Sequence, residues 1–206
     1  MAVPLRDIRY HLLMSGAPTG NPRAGYVLAG GRSSRMGRDK ALLPLDGATL
    51  IEHVASKVHV AAGNVSIIAP PDRYRDLPYP VIADMVEGCG PLGGVFTALS
   101  VTEAPWNLIV GCDMPALTVA FLEDLFRAAE LPVDAVVPET AGGLDPLCAV
   151  YHRRCLEKAA SAIDRKILKM HDFVSTLRIR RWPVLNAAPL ENINTPDQWS
   201  DRGSAR

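Results

Sequence analysis

The apolar run Tyr26-Val27-Leu28-Ala29 stops abruptly at Gly30-Gly31, and the polar loop that follows carries Arg32, Arg35, Arg38 and Lys40, with Gly37 beside Met36. A short run that is apolar at every position suits a parallel strand buried on both faces. The loop at the carboxyl end of such a strand is where open α/β sheets bind ligands. Glycines there let the backbone approach a phosphate closely and aim its N–H groups at the anion. Arg and Lys supply the charge that a polyphosphate needs. A solvated basic loop after an ordinary strand would use the same residue types, but four cations and three glycines between Gly30 and Lys40 favour the anion reading.

Spacing excludes two other phosphate loops. The pattern G-x-x-x-x-G-K-[ST] is not met, because Gly37 is followed by Arg38-Asp39-Lys40. The fingerprint G-x-G-x-x-G is absent as well, since Gly30 and Gly31 are adjacent.

A chain of 206 residues that is 48% hydrophobic can bury a full core and is most simply one domain. With 22 basic and 22 acidic residues it lacks the basic excess that bulk nucleic-acid or anionic-membrane binding would need. Arg6, Asp7, Arg9 and His11 interrupt the N-terminus, and no apolar run approaches a membrane helix, so the expected location is the cytoplasm. Cys89, Cys112, Cys148 and Cys155 form no C-x-x-C pair, which fits reduced thiols and argues against a zinc site. Cys112 precedes Asp113 and invites a nucleophile reading, but a free Cys is usually a small buried hydrophobe.

Residues 1–23 read as a flexible leader and 201–206 as a tail, leaving 24–200 as a single domain. Ala41 to Leu45 reads as extended, with a turn at Asp46-Gly47. Thr49 caps a helix to about Ala61, whose buried face carries Leu50, Ile51, Val54, Val58 and Ala61, while His53 and His59 read as solvated. Strands follow at Val65–Ala69, Ile82–Asp84, Asn107–Gly111 and Ala135–Pro138. Helices alternate with them, one to Ser100 and one from Thr118 to about Ala129. That alternation predicts an α/β fold with a doubly wound, mostly parallel sheet. From Glu139 the rhythm changes to a short mixed part: a strand at Pro146–Tyr151, helices at 153–163 and 164–175, and an edge strand at Leu177–Trp182.

Three further places carry chemistry. Gly88-Cys89-Gly90-Pro91-Leu92-Gly93-Gly94 opens a helix, either as an anion-friendly amino end or as a packing device. Asp113 follows an apolar strand and precedes Met114-Pro115; it reads as a turn residue or as a ligand for a hard divalent cation shared with substrate phosphates. Asn192 and Asn194 flank Ile193, so a strand there would put both amides on one face, and Thr195 with Gln198 forms a capping box.

Taken together, L-A-G-G-x-S-x-R-M-G-x-D-K, G-P-L-x-G, C-D-M-P, P-L-C-A-V-Y and N-I-N-T-P resemble, in order over about residues 25–199, the nucleotidyltransferases that make molybdenum cofactors. The Gly-Gly form resembles the guanylyltransferases; the cytidylyltransferases typically carry Ala-Ala-Gly. The resemblance implies a Rossmann-like nucleotidyltransferase fold, with a nucleotide half over about 24–138 and an acceptor half over about 139–200. It implies that Leu28, Ala29, Gly30 and Gly31 hold the guanine nucleotide, that Asp84 contacts it, and that Lys40 meets its phosphates. Asp113 would bind Mg²⁺, Arg35 would assist Lys40, and Gly90, Gly93, Asn192 and Asn194 would face the acceptor. One departure concerns the family's Asn near the end of the second strand, where this chain has Ile68-Ala69-Pro70.

The implied reaction is GMP transfer from GTP to the terminal phosphate of molybdopterin, with or without its molybdenum. Molybdopterin-inserting proteins and acceptor molybdoenzymes would be the partners. Three other readings share these motifs: a related enzyme with another base or acceptor, a nucleotide-binding cofactor chaperone without chemistry, and an interaction module without a ligand. Intact Lys40 and Asp113 oppose the second, and the phosphate loop opposes the third.

Overall fold

The computed structural model describes residues 22–30 and 39–193. In chain order the strands are β1 (Arg23–Leu28), β2 (Pro44–Leu45), β3 (Ala48–Thr49), β4 (Ser66–Ile68), β5 (Val81–Ile82), β6 (Trp106–Gly111), β7 (Ala135–Thr140), β8 (Gly143–Leu144), β9 (Cys148–His152) and β10 (Ile179–Pro183). The α-helices are α1 (Leu50–Ala62), α2 (Gly90–Val101), α3 (Val119–Ala128), α4 (Leu156–Asp164) and α5 (Met170–Ser175).

An eight-stranded sheet runs β10-β7-β9-β6-β1-β4-β5, with β8 paired to β7. β1 lies inside it, parallel to both β4 and β6. β9 is the antiparallel intruder between β6 and β7, and β10 is a parallel edge. Successive side chains of a strand point to opposite faces, and both faces are covered. Val27, Leu108, Val110 and Val136 pack under α1 and α3, while Tyr26, Ile109, Ala135 and Val137 pack under α2, α4 and α5. This two-sided burial is why the strand sequences read as unbroken apolar runs.

Helix α1 shows how local sequence sets an element. Thr49 and Glu52 close a reciprocal capping box at its start, and Gly63 at φ 78° ends it by donating its N–H to His59 O. Between these signals Leu50, Ile51, Val54 and Val58 are fully buried, each worth about 1.5–3 kcal/mol of apolar burial.

Three expectations change. Ala41 to Leu45 is not extended throughout: Lys40–Leu42 form a 3-10 turn because the Asp39 side chain accepts from Ala41 N, and only Pro44–Leu45 pair with β3 across the Asp46-Gly47 turn. The helix expected at 164–175 is confined to α5, since Lys166 at φ 60° breaks the backbone before it. The strand expected at Pro146 begins at Cys148, and its helix enters through a 3-10 turn at Arg153–Cys155.

Asp134, buried just before β7, ties the far edge together. Its carboxylate takes ion pairs from Arg154, Lys158 and Arg178 and accepts the Arg178 N–H at 3.0 Å. Burial raises its pKa, but the hydrogen bonds from Arg178 and Lys158 outweigh that and hold it below the usual carboxylate range. Asp134→Asn should therefore destabilise the fold at neutral pH by about 2 kcal/mol, less than a fully buried pair because water already reaches the partners. The contribution is complete above the unfolded carboxylate value of about 4 and is lost as pH falls from there through the depressed folded value. Denaturant titrations of wild type and variant from neutral to acid pH should show the gap closing.

Candidate active site

The carboxyl ends of β1 and β6 meet in register, Leu28 opposite Gly111, and Cys112 N donates to Leu28 O at 3.2 Å. Ala29 N then bonds Ile68 O, and Ala69 N bonds Ile82 O, so the ends of β1, β4 and β5 form one continuous rim. Asp84 lies two residues beyond β5. A Cβ placed on Gly30 would come within 3.4 Å of its Oδ2, so the structure brings Asp84 to the start of the first loop. Burial raises the Asp84 pKa, against a hydrogen bond from Thr97 Oγ1 at 3.3 Å.

Lys40 and Asp113 are 73 residues apart in sequence, yet Lys40 Nζ stands 3.3 Å from Asp113 Oδ2. The lysine side chain is only 13% exposed and the aspartate 31%. Gly111 makes room for this carboxylate: a Cβ there would lie 2.9 Å from Asp113 Oδ1. The loop after Asp113 is gripped by α1, for Lys57 Nζ donates to Pro115 O at 2.9 Å and lies 2.7 Å from His53 Nε2. His53 is thus not the solvated residue its sequence position implied; burial and the Lys57 charge lower its pKa, leaving a neutral ring to accept from the ammonium.

The C-terminal segment reaches Asp113, whose carbonyl accepts from Ile193 N at 3.0 Å. Asn192 is exposed beside that bond, in an irregular segment rather than a strand. Gly31, Arg32, Arg35, Arg38 and Asn194 lie outside the described residues. Gly90, exposed at φ 58°, opens α2, whereas Gly94 is a packing glycine: a Cβ there would meet Leu28 Cδ2 at 2.9 Å. Gly93 faces Val86 O and Asp84, so the glycine block serves packing at one end and leaves its start open.

Sequence reasoning passed over Asp145. It is half-buried and accepts Leu147 N at 3.1 Å; burial and then the charge of Asp113 raise its pKa. A cavity of about 210 Å³ opens beside it, lined by Thr140, Gly143, Asp145, Leu190 and Glu191. The signal available was Asp145-Pro146, a carboxylate ahead of a proline as in Asp113-Met114-Pro115. At the second-strand end, Ile68 and Ala69 are buried, and the nearest Asn, Asn64, braces β1 through Gly25 N and Arg23 O.

The Cys112 thiol is pushed up to about 12, chiefly by burial and then by Asp113, so it stays protonated and is no nucleophile at neutral pH. Among the described residues no three His, Cys, Asp or Glu side chains gather as a metal cage. One accessible carboxylate at Asp113, with Asp145 electrostatically close, fits a cation such as Mg²⁺ that completes its shell with substrate phosphates and water.

The family described as MobA-like NTP transferase domain matches residues 25–178. A Flavobacterium johnsoniae protein named "Probable molybdenum cofactor guanylyltransferase" is 32% identical over 85% of this chain and 94% of its own. A Mycobacterium bovis protein of the same name is 37% identical over 87% and 92%. Among solved structures, the molybdopterin-guanine dinucleotide biosynthesis protein A of Archaeoglobus fulgidus superposes with a TM-score of 0.71 at 24% identity, covering 86% of this chain and 95% of that one.

Gly111→Ala should displace the Asp113 carboxylate while leaving the sheet intact. Turnover should fall roughly 10- to 100-fold, the usual effect of a misplacement near 1 Å. Circular dichroism alongside a nucleotide-dependent pyrophosphate assay checks this.

Proposed function

We infer the activity from one premise: the chain belongs to the MobA-like NTP transferase domain family and is a nucleotidyltransferase. Its role lies in the synthesis of molybdopterin-guanine dinucleotide. We propose that the terminal phosphate of molybdopterin attacks the α-phosphorus of GTP. A new P–O bond forms there, the bond to the bridging β-phosphate oxygen breaks, and pyrophosphate leaves with the electron pair. The attacking phosphate is already ionised at neutral pH, so no general base is needed.

The observation that carries this reading is the Lys40–Asp113 pair at the joined ends of two parallel strands. Catalysis is then positioning plus neutralisation of charge. Backbone at Leu28, Ala29, Gly30 and Gly31, with Asp84, holds the guanine nucleotide. Lys40 and Arg35 neutralise charge on the α-phosphate and the departing pyrophosphate. Mg²⁺ held by Asp113 would supply Lewis-acid neutralisation of the phosphate oxygens. Cavity-lining Asp145 and Glu191 are acceptors suited to the N–H edge of a pterin. On this reading Asn192, Asn194 and Gly90 serve the acceptor, while Gly93, packed against Val86 O, supports the turn before α2. A cytoplasmic enzyme of this kind hands its product to cofactor-inserting proteins or acceptor molybdoenzymes. Among the described residues no helix is long and apolar enough to cross a membrane.

The test is pyrophosphate release with Mg²⁺ and molybdopterin, GTP against CTP. GTP should be strongly preferred; equal use of CTP, or release that ignores molybdopterin, rejects the proposal. Asp113→Ala should lower turnover by at least about a hundredfold in a folded protein, the loss of several kcal/mol of charge stabilisation.

Replacing Asn192 and Asn194 together by Ala should weaken molybdopterin more than about tenfold, at roughly 1–3 kcal/mol per lost buried amide contact, with GTP affinity little changed. Calorimetric titration of each ligand beside a melting curve reads this out; equal losses for both ligands with a lowered melting point would mark the amides as turn braces.

A further inference from the structure

Tyr74 is 2% exposed, sits at the end of the 3-10 turn Pro71–Arg73, and takes no part in the chemistry above. Its hydroxyl oxygen lies 3.1 Å from Ala29 O and 2.8 Å from Asp39 Oδ2. Ala29 enters the phosphate loop from β1. Asp39 leaves it, and its other oxygen accepts Ala41 N and so caps the turn that begins at Lys40. One buried oxygen therefore touches both ends of the segment. We propose that Tyr74 is a positioning residue that clamps the two ends of the phosphate loop and thereby sets Lys40 against Asp113.

A phenol has one proton, and both contacts are acceptors. The shorter bond runs to a carboxylate, where a charge-assisted hydrogen bond is strongest, and the Ala29 carbonyl shares the same proton. Burial first, and the neighbouring Asp39 second, push the phenol well above its ordinary range, so the clamp keeps its proton at any working pH. The ring rests in the core cluster that includes β1 and α1 side chains, anchoring the hydroxyl to the packed interior. Pro70-Pro71, which shape the turn before Tyr74, acquire a purpose the sequence did not disclose.

The inference rests on the nucleotide-binding reading, and binding titrations keep the two apart. GTP and guanosine are titrated against wild type, Tyr74→Phe, Asp39→Ala and Asp39→Asn. If wild type binds GTP no better than guanosine, the phosphate-loop reading itself fails. With that preference present, Tyr74→Phe should weaken GTP roughly 5- to 20-fold and leave guanosine unchanged, because the ring and the fold are retained. Asp39→Ala should do the same. Asp39→Asn should recover at least half of that loss: its Oδ1 still accepts from Ala41 N, its Nδ2–H donates to the phenol oxygen, and the phenol proton passes to Ala29 O. Unchanged GTP affinity in Tyr74→Phe overturns the clamp, as do equal losses for GTP and guanosine. Failure of Asp39→Asn to recover over Asp39→Ala overturns it too.

Discussion

The pairing of β1 with β6 on one side and β4 on the other governs where everything else can go. β1 is a central strand covered on both faces, with Ala24 to Val27 buried. Strands that are parallel must end at the same rim, so the loops after β1, β5 and β6 converge without any side chain having to direct them. Gly30, Asp84 and Asp113 share one rim because the strands before them share a hydrogen-bond ladder.

Electrostatics at that rim are deliberately incomplete. Asp84 and Asp145 both have raised pKa values, each first through burial, so neither site welcomes its own negative charge. Asp113 is compensated by Lys40 in a partly buried pair, where attraction is screened less than at the surface. On the proposed reading, a triphosphate at this rim would meet carboxylates as well as a lysine. The rim would then favour a nucleotide carrying a divalent cation over a bare polyanion.

Precision comes from contacts made behind the candidate site. Lys57 holds the carbonyl of Pro115, Ile193 holds that of Asp113, and Gly111 vacates the space its carboxylate occupies. Tyr74 performs the equivalent task on the opposite loop. These contacts span from residue 29 to residue 193, so the site samples the whole fold rather than one motif. At the far edge, the buried Asp134 network binds β7, α4 and the approach to β10, remote from the rim.

Much of this was legible in the chain. Unbroken apolar runs, the Thr49 and Thr118 caps and the strand–helix alternation determine a doubly covered sheet, because local hydrogen bonding and burial period act over a few residues. Lys40 stands out in its glycine-rich basic loop and Asp113 after an apolar strand, whereas Asp84 is singled out only through the family resemblance. What local pattern could not decide was which distant groups would meet. The insertion of β9 between β6 and β7 is a matter of tertiary pairing, and with it come Asp145 and the cavity beside the C-terminal segment. The lone-proton contact of Tyr74 with both ends of one loop depends on the packing of a turn 35 residues beyond Asp39, which no periodicity encodes. Sequence alone therefore determined the layers and the candidate side chains; tertiary structure decided their distances, because those depend on how separate elements close over a shared core.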